Sequence, residues 1–486
     1  MAKVNEFETA RYTYDTAKQR FSSEANTHYR YPSLEMLLNN IDELSKMIQH
    51  HKEHQVPRLI TLADYYKGNN HTILRANRRK EEHLADHRAT HNFAKYISQF
   101  IQGYMMGVPL KTTYEDKDMS EKLRKINREN DADEHNSDLI LDLSIYGRAY
   151  ELLYRNQLDE TRFTLSQVTE TFVIYDTTVE MNPIAAVRYV SNQFNNDELE
   201  VYLYTDEKIY QYIAKDPQSM KLTLSDEQDH YFDGVPIIEY ENNKFRQGDF
   251  EDVLSLIDLY DEAQSDTSNY MSDLNDAMLK IVGNLEIDVE QAKKMKENNI
   301  LMLQTEVNAD GRAGQADADY IYKKYDVNGT EAYKDRIFNN ILLFASIPNL
   351  LDEHFSGNQS GEALKMKLFG LSQKRSIKER LFKKSLRDRY RLISNIMKRA
   401  SEGELDVNEI GITFTENLPR AIDQELRWFA SLGGQLSQET LLSLLSFVEN
   451  PQEEREKIEA ENKLNQPVYD FQKTQDGEGE EDAKIS

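Results

Sequence analysis

The chain has 486 residues, a formal net charge of −26 and a hydrophobic fraction of 39%, enough for two to four packed units. It contains no cysteine, which excludes a disulfide framework, thiolate metal sites and cysteine nucleophiles, and fits a cytosolic fold. The acidity argues against tight wrapping around nucleic acid, because such binding sets many Lys or Arg on phosphates.

The first residues carry no apolar core, so no signal peptide is predicted, and no apolar run reaches the roughly 18 residues of a membrane span. Residues 1–30 read as a polar arm. Ser33 is placed as an N-cap before a stripe of Leu34, Leu37, Leu38, Ile41, Leu44 and Ile48. Val56-Pro57 is expected to break that helix, and a short second one leads to Tyr65-Tyr66-Lys67-Gly68. A helix is predicted over 81–106, with His83, His87 and His91 at a four-residue spacing. That spacing allows a metal face, but also plain polar surface, and nothing specifies the carboxylate such a site would recruit.

Helices are predicted over 120–146. After Gly147 the apolar period becomes two, giving strands over 149–154, 163–165, 172–175, 185–190, 199–204, 209–213 and 236–240. Residues 198–213 read as a hairpin turning at 205–208. An acidic helix is predicted over 249–282. From Glu251 onward it holds eight acids against Lys280. A short helix (289–297), a strand (299–304), a loop and a strand (320–325) follow. The loop 306–311 reads as a solvated turn, since strands flank it where a calcium loop needs helices.

Next come a helix over 331–346, a break at Ile347-Pro348-Asn349, an irregular loop to Gly361, and a helix over 362–399 of about 58 Å. That long helix carries thirteen bases against three acids, net +10, so the remaining chain is −36. Either it packs on acidic neighbours, in its own chain or in another copy, or it touches DNA. A strand over 410–414 and helices over 423–432 and 437–448 follow. The acidic end from Asn465 is expected to be disordered. No phosphate loop, dinucleotide fingerprint, nucleophile elbow or zinc-protease motif occurs, so no enzyme and no cofactor are predicted.

Several stretches in fixed order carry a likeness: Tyr65-Tyr66-Lys67-Gly68 with Ile73; Tyr104-Met105-Met106-Gly107-Val108-Pro109; and Tyr146-Gly147-Arg148-Ala149-Tyr150-Glu151. Gly234-Val235-Pro236-Ile237-Ile238-Glu239-Tyr240 follows, then Leu256-Ile257-Asp258-Leu259-Tyr260. The last is Phe355-Ser356-Gly357-Asn358-Gln359-Ser360-Gly361-Glu362-Ala363. Over about residues 60–450 the chain resembles the portal proteins of long-tailed double-stranded DNA bacteriophages.

The resemblance implies an α+β, mainly α portal fold, forming a ring of about twelve copies with an axial tunnel at one capsid vertex. It divides the chain into an arm (1–30), a wing (31–248), a stem helix (249–285), a clip (286–325) and a second stem helix (326–346). A tunnel loop (347–361), a long wing helix with strand (362–419), a crown (420–464) and the tail (465–486) follow. It implies a DNA-facing loop with Asn349, His354, Ser356, Asn358 and Gln359, and an acidic lining of Asp258, Glu262, Asp266 and Asp273. Glu306, Asn308, Asp310 and Arg312 would face motor or adaptor, and Lys374, Arg375, Lys378 and Arg387 a neighbouring copy. The implied partners are the terminase large subunit (the ATPase motor), a head-tail adaptor, the major capsid and scaffolding proteins, and passing double-stranded DNA. Assembly would occur in the host cytoplasm. A ring-forming virion adaptor that never surrounds DNA is the alternative.

Overall fold

The computed structural model describes residues 24–75, 85–191, 198–216, 220–273, 278–282, 317–321, 326–350, 366–417, 429–432, 436–443 and 451–464, with single positions between 288 and 294 and at 445 and 448. The chain divides into two compact units, Met1–Asn417 and Leu418–Ser486. The fold is α+β, mainly α. Among the described residues no helix is long and apolar enough to cross a membrane.

The first unit opens with β1 (Tyr29–Arg30), α1 (Leu34–Asn39) and α2 (Ile41–His50). Ser33 caps α1 as expected, its Oγ accepting from Met36 N at 3.3 Å. The expected break at Val56-Pro57 does not occur. A π turn, His51–Gln55, carries α2 directly into α3 (Val56–Lys67). Pro57 has no N–H to donate, and the wider turn absorbs that loss without ending the helix. It also brings both His51 and Gln55 into the interior. A single-turn helix, α4 (His71–Leu74), follows.

Residues 85–92 are irregular, and α5 (Phe93–Met106) starts only at Asn92, whose Oδ1 accepts from Lys95 N at 3.1 Å. His87 and His91 therefore share no helix face, which removes the metal-face reading. His83 lies outside the described residues. β2 (Lys111–Thr113), α6 (Lys117–Glu129) and α7 (Ala132–Tyr146) come next.

Gly147, at φ +79°, turns the chain from α7 into β3; a Cβ there would meet the Arg246 carbonyl at 2.2 Å. The strands are β3 (Arg148–Arg155), β4 (Thr161–Ser166), β5 (Thr171–Tyr175), β6 (Pro183–Ser191), β7 (Leu199–Tyr204), β8 (Lys208–Ala214), β9 (Thr223–Asp229) and β10 (Ile237–Glu241). They form a six-stranded sheet, β1-β5-β6-β7-β8-β9, antiparallel except for β1 on β5, and a three-stranded sheet, β10-β3-β4. The hairpin at 205–208 forms as expected, Thr205 N bonding Lys208 O at 2.9 Å. β9 was not predicted, because all seven of its residues are exposed and leave no apolar alternation.

Strand periodicity builds the layers. Phe172, Ile174, Val187, Val201 and Leu203 face Leu37, Leu44 and Ile48 of α1 and α2. Their alternates Val173, Ala186 and Tyr204 face Tyr150 and Ile237 of the small sheet. Beyond the small sheet lies the long helix.

The predicted acidic helix is shorter than expected. A 3-10 turn (Glu251–Val253) leads into α8 (Leu254–Asp273), and Met278–Val282 is a strand, β11, antiparallel to β12 (Asp317–Ile321). Local periodicity cannot reveal a pairing with a strand some forty residues away. α9 (Val327–Ala345) ends where the break was predicted, Ser346 adopting φ +61° and its N–H returning to Leu342 and Leu343 carbonyls. α10 (Phe369–Arg399) is the long helix, and β13 (Gly411–Thr413) pairs with β2.

In the second unit, α11 (Gln438–Ser443) begins after Ser437, whose Oγ accepts from Thr440 N at 3.3 Å, and α12 (Pro451–Leu464) follows. Leu441, Leu442 and Leu445 are buried within it.

Candidate functional site

The long helix α10 is organised by two buried charge clusters. Its inward stripe contains Leu371, Phe382, Leu386 and Ile393, and in phase with them Lys378 and Arg389. Lys378 Nζ lies 2.6 Å from Asp249, and Lys374 Nζ lies 3.2 Å from the other Asp249 oxygen. Ser144 Oγ and Asn242 Nδ2 donate to the same carboxylate at 2.6 and 3.1 Å. Asp249 thus ties α10 to the end of α7 and the turn after β10. Burial alone would raise its carboxyl, but the two lysines outweigh that and hold it well below the usual range.

About three helical turns further on, Arg389 meets Glu151 of β3 at 2.6 and 2.9 Å and donates to Asn136 Oδ1 at 2.9 Å. His135 and Tyr240 also bond Glu151, at 2.6 and 2.9 Å. The guanidinium stands over the Phe163 ring at 4.4 Å. Burial pushes the Glu151 carboxyl up, yet Arg389 and His135 bring it down to about 2. Ser385 Oγ donates to Glu239 O at 3.0 Å, and Phe382 packs on Tyr240, so α10 is fixed along β10.

Both carboxyls bind protons more weakly folded than unfolded. Their stabilisation is fully present above their ordinary values of 4.5 and 3.8 and is lost as pH falls toward about 2 for Glu151 and lower for Asp249. Acid titration followed by far-ultraviolet circular dichroism is expected to show unfolding setting in below about pH 4. Glu151→Gln should lessen the acid dependence; an unchanged pH profile in that variant would exclude the pair as its source.

These clusters correct the expectation that the basic helix turns its charges to another copy. Lys374 and Lys378 pair with Asp249 of the same chain, and Arg375 pairs with Glu416 at 2.6 Å. The helical period decides this, since 374, 375 and 378 lie on or beside the apolar stripe. Arg387 is exposed, with Arg380, Lys384 and Arg391 at spacings of four, three and four along the outer face. Arg387 lines a 780 Å³ cleft with Lys384, Arg391, Tyr114 and residues 404–408. The pairs Glu151–Arg389 and Asp249–Lys378 escaped the sequence reading. A base in phase with a run of leucines and isoleucines was the available signal.

The acidic helix α8 is also partly turned inward. Asp258, expected in a tunnel lining, is buried and accepts from Tyr65 Oη at 2.6 Å and Thr72 Oγ1 at 3.3 Å. Asp261, fully buried, takes Asn70 Nδ2 and His91 at 2.9 Å each. Ser265 Oγ and Asn269 Oδ1 accept from Ala89 N and His87 N. Positions 261, 265 and 269 thus satisfy the irregular segment 85–92, while Asp258 serves α3 and α4. Glu262 is half-buried and Asp266 exposed; the side chain of Asp273 is outside what is described. α9 lies alongside, Phe338 stacking near Phe93 and Tyr260.

In the turn after α9, Asn349 Nδ2 donates to Asn339 Oδ1 at 3.2 Å. His354, Ser356, Asn358 and Gln359 lie outside the described residues, as do Glu306, Asn308, Asp310 and Arg312.

A family model described as phage portal protein, SPP1 Gp6-like, matches residues 45–468. A portal protein of Bacillus phage SPP1 is 24% identical over 396 residues, covering 77% of this chain and 76% of that protein. Among solved structures, the neck of an empty GTA particle computed with C6 symmetry matches at a TM-score of 0.42 and 14% identity, over 72% of this chain and 89% of that one.

Proposed function

The chain belongs to the phage portal protein family, SPP1 Gp6-like, and we propose that copies of it form a ring at one capsid vertex through which double-stranded DNA is packaged and ejected. The observation that carries this reading is the family match across residues 45–468. The order of elements supports it: α8, the β11–β12 pair, α9, a sharp turn, then the long α10. In this reading α8 and α9 are the stem, β11 and β12 lead into a clip that docks the ATPase motor and the head-tail adaptor, and 347–361 reaches toward the axis. The two sheets with α10 are the wing, and the second unit contributes the crown. The ring is non-enzymatic, and a separate ATPase supplies the force.

The accessible acids on α8, Glu262 and Asp266, would contribute to an acidic tunnel that repels phosphate and keeps DNA mobile. Exposed Arg387, with Lys384 and Arg391, is the part of the basic helix left for a neighbouring copy. Electron microscopy of the purified protein tests the assembly. Rings with an axial hole wide enough for duplex DNA are expected. A protein that stays monomeric even with its capsid partners overturns the reading; a hole too narrow for a duplex in every state favours a ring-forming adaptor.

A further inference from the structure

β9 closes the six-stranded sheet, and among the described residues β8 is the only strand paired with it. All seven residues of β9 are exposed, Leu224 included. The sheet therefore runs one strand beyond the two layers that cover its faces. Alternate N–H and C=O groups of β9 point away from β8, so this edge stands open to strand addition. Asp226, Glu227 and Asp229 are poor strand formers. With neither face buried, the β8 ladder alone holds them extended.

Charge selects what can pair there. The strand carries those three acids and no base. Lys208 of β8 meets Glu227 at 2.7 Å, while Asp226 and Asp229 have no ion-pair partner among the described residues. A second β9 laid on this edge would bring acids beside acids, which is unfavourable. A strand carrying bases is favoured, and an acidic one is turned away.

The chain supplies a basic strand of this kind. Residues 1–23 precede the described part of the first unit. Within them, Arg11-Tyr12-Thr13-Tyr14-Asp15-Thr16 is rich in Tyr and Thr, which favour extended pairing. Residues 11–20 carry Arg11, Lys18 and Arg20 against Asp15, net +2. Their own copy's β9 is out of reach. The described chain begins at Glu24, 3.4 Å from His54, and leads into β1 at the opposite edge of the sheet. Five strand spacings of about 4.8 Å put β9 about 24 Å from β1 in a straight line. Thr16 precedes Glu24 by eight residues, at most about 29 Å of extended chain. That length does not suffice for a path round α1 and α2, or round the small sheet, which cover the two faces.

We propose that residues 11–16 of one copy add as a further strand to β9 of the neighbouring copy. The edges involved lie at opposite ends of one sheet, so the contact is head-to-tail and repeats from copy to copy, as a closed ring needs. The inference rests on the ring reading and names one of its interfaces. Main-chain bonds hold the added strand, and the charge contrast sets its choice.

The chain has no cysteine, so introduced pairs report unambiguously. Thr13→Cys is combined in turn with Leu224→Cys, Ser225→Cys, Asp226→Cys, Glu227→Cys or Gln228→Cys in the full chain, and oxidised under ring-forming conditions. Denaturing gels without reductant are expected to show a ladder of covalent dimers and higher multiples at alternate positions only, because successive side chains of a strand face opposite ways. Rings in electron micrographs without any ladder overturn the exchange and leave the ring reading standing; absence of rings overturns both. A cross-link closed within single chains places the arm on its own β9 and overturns the exchange between copies. A ladder of equal strength at every position overturns strand pairing. Asp229→Lys added to the strongest pair is expected to weaken the ladder several-fold, and Arg11→Glu/Lys18→Glu added in turn to restore it. An unchanged yield with Asp229→Lys overturns the assignment of a basic strand to this edge.

Discussion

Replacing Arg389 with methionine is expected to destabilise the protein by about 3–5 kcal/mol, because it leaves Glu151 buried without its main counter-charge. Glu151 and Arg389 are both fully buried, so neither can turn to water. The remaining partners, His135 and Tyr240, hydrogen-bond the carboxylate but do not replace the guanidinium. Methionine keeps much of the contact with Phe163, which isolates the charge as the cause. Urea unfolding measures the loss. The double variant Glu151→Gln/Arg389→Met should recover a large part of it, since two neutral groups remove the unpaired charge. A single-variant loss below about 1 kcal/mol would show that this pair does not hold α10 to the small sheet.

Asp249→Asn is the second large effect, again about 3–5 kcal/mol. Here two lysines lose one carboxylate, and Lys378 is wholly buried. Burial already lowers the Lys378 ammonium below its ordinary value of 10.5, and Asp249 is what opposes that shift. Without it, Lys378 is expected to shed its proton in the folded state. The unfolded chain then binds more protons, so the variant's stability should rise with pH through the alkaline range up to about 10.5. Unfolding free energies at several pH values check the sign; a slope equal to that of the wild type would show that Lys378 finds another partner. The two substitutions act at different carboxylates, whose partners on α10, Lys378 and Arg389, stand about three helical turns apart, so their effects should add closely.

The sequence was most legible where one apolar period ran undisturbed. Ser33 with the Leu37, Leu44 and Ile48 stripe placed α1 and α2, and period-two alternation placed β3 to β8 and β10. The turn at Ser346 was readable because Ile347-Pro348 cannot continue a helix. Misreadings occurred where a polar residue served the interior. Pro57 looked like a stop, but a π turn accommodates it. His87 and His91 looked like a helical pair, yet they belong to an irregular segment that α8 satisfies through Asn269, Ser265 and Asp261. Asp258 looked like exposed acid and is a buried acceptor for Tyr65.

The opposite charges of α8 and α10 were plain from the residues alone: an acidic helix before a break, and a basic one after a second break. Charge sign follows from composition and needs no fold. Which of those charges are free does need one. A carboxylate is neutralised by whatever backbone and side chains three dimensions bring within about 3 Å, and those partners lie 16 to 238 residues away for Glu151 and from 7 to 129 away for Asp249. Most of the helices, the strands β3 to β8 and β10, and the family likeness therefore belong to the sequence. The division of one basic helix into an inward face that holds the protomer together and an outward face of Arg380, Lys384, Arg387 and Arg391 was decided only by tertiary structure, because burial makes an unpaired charge too costly to leave on the inner side.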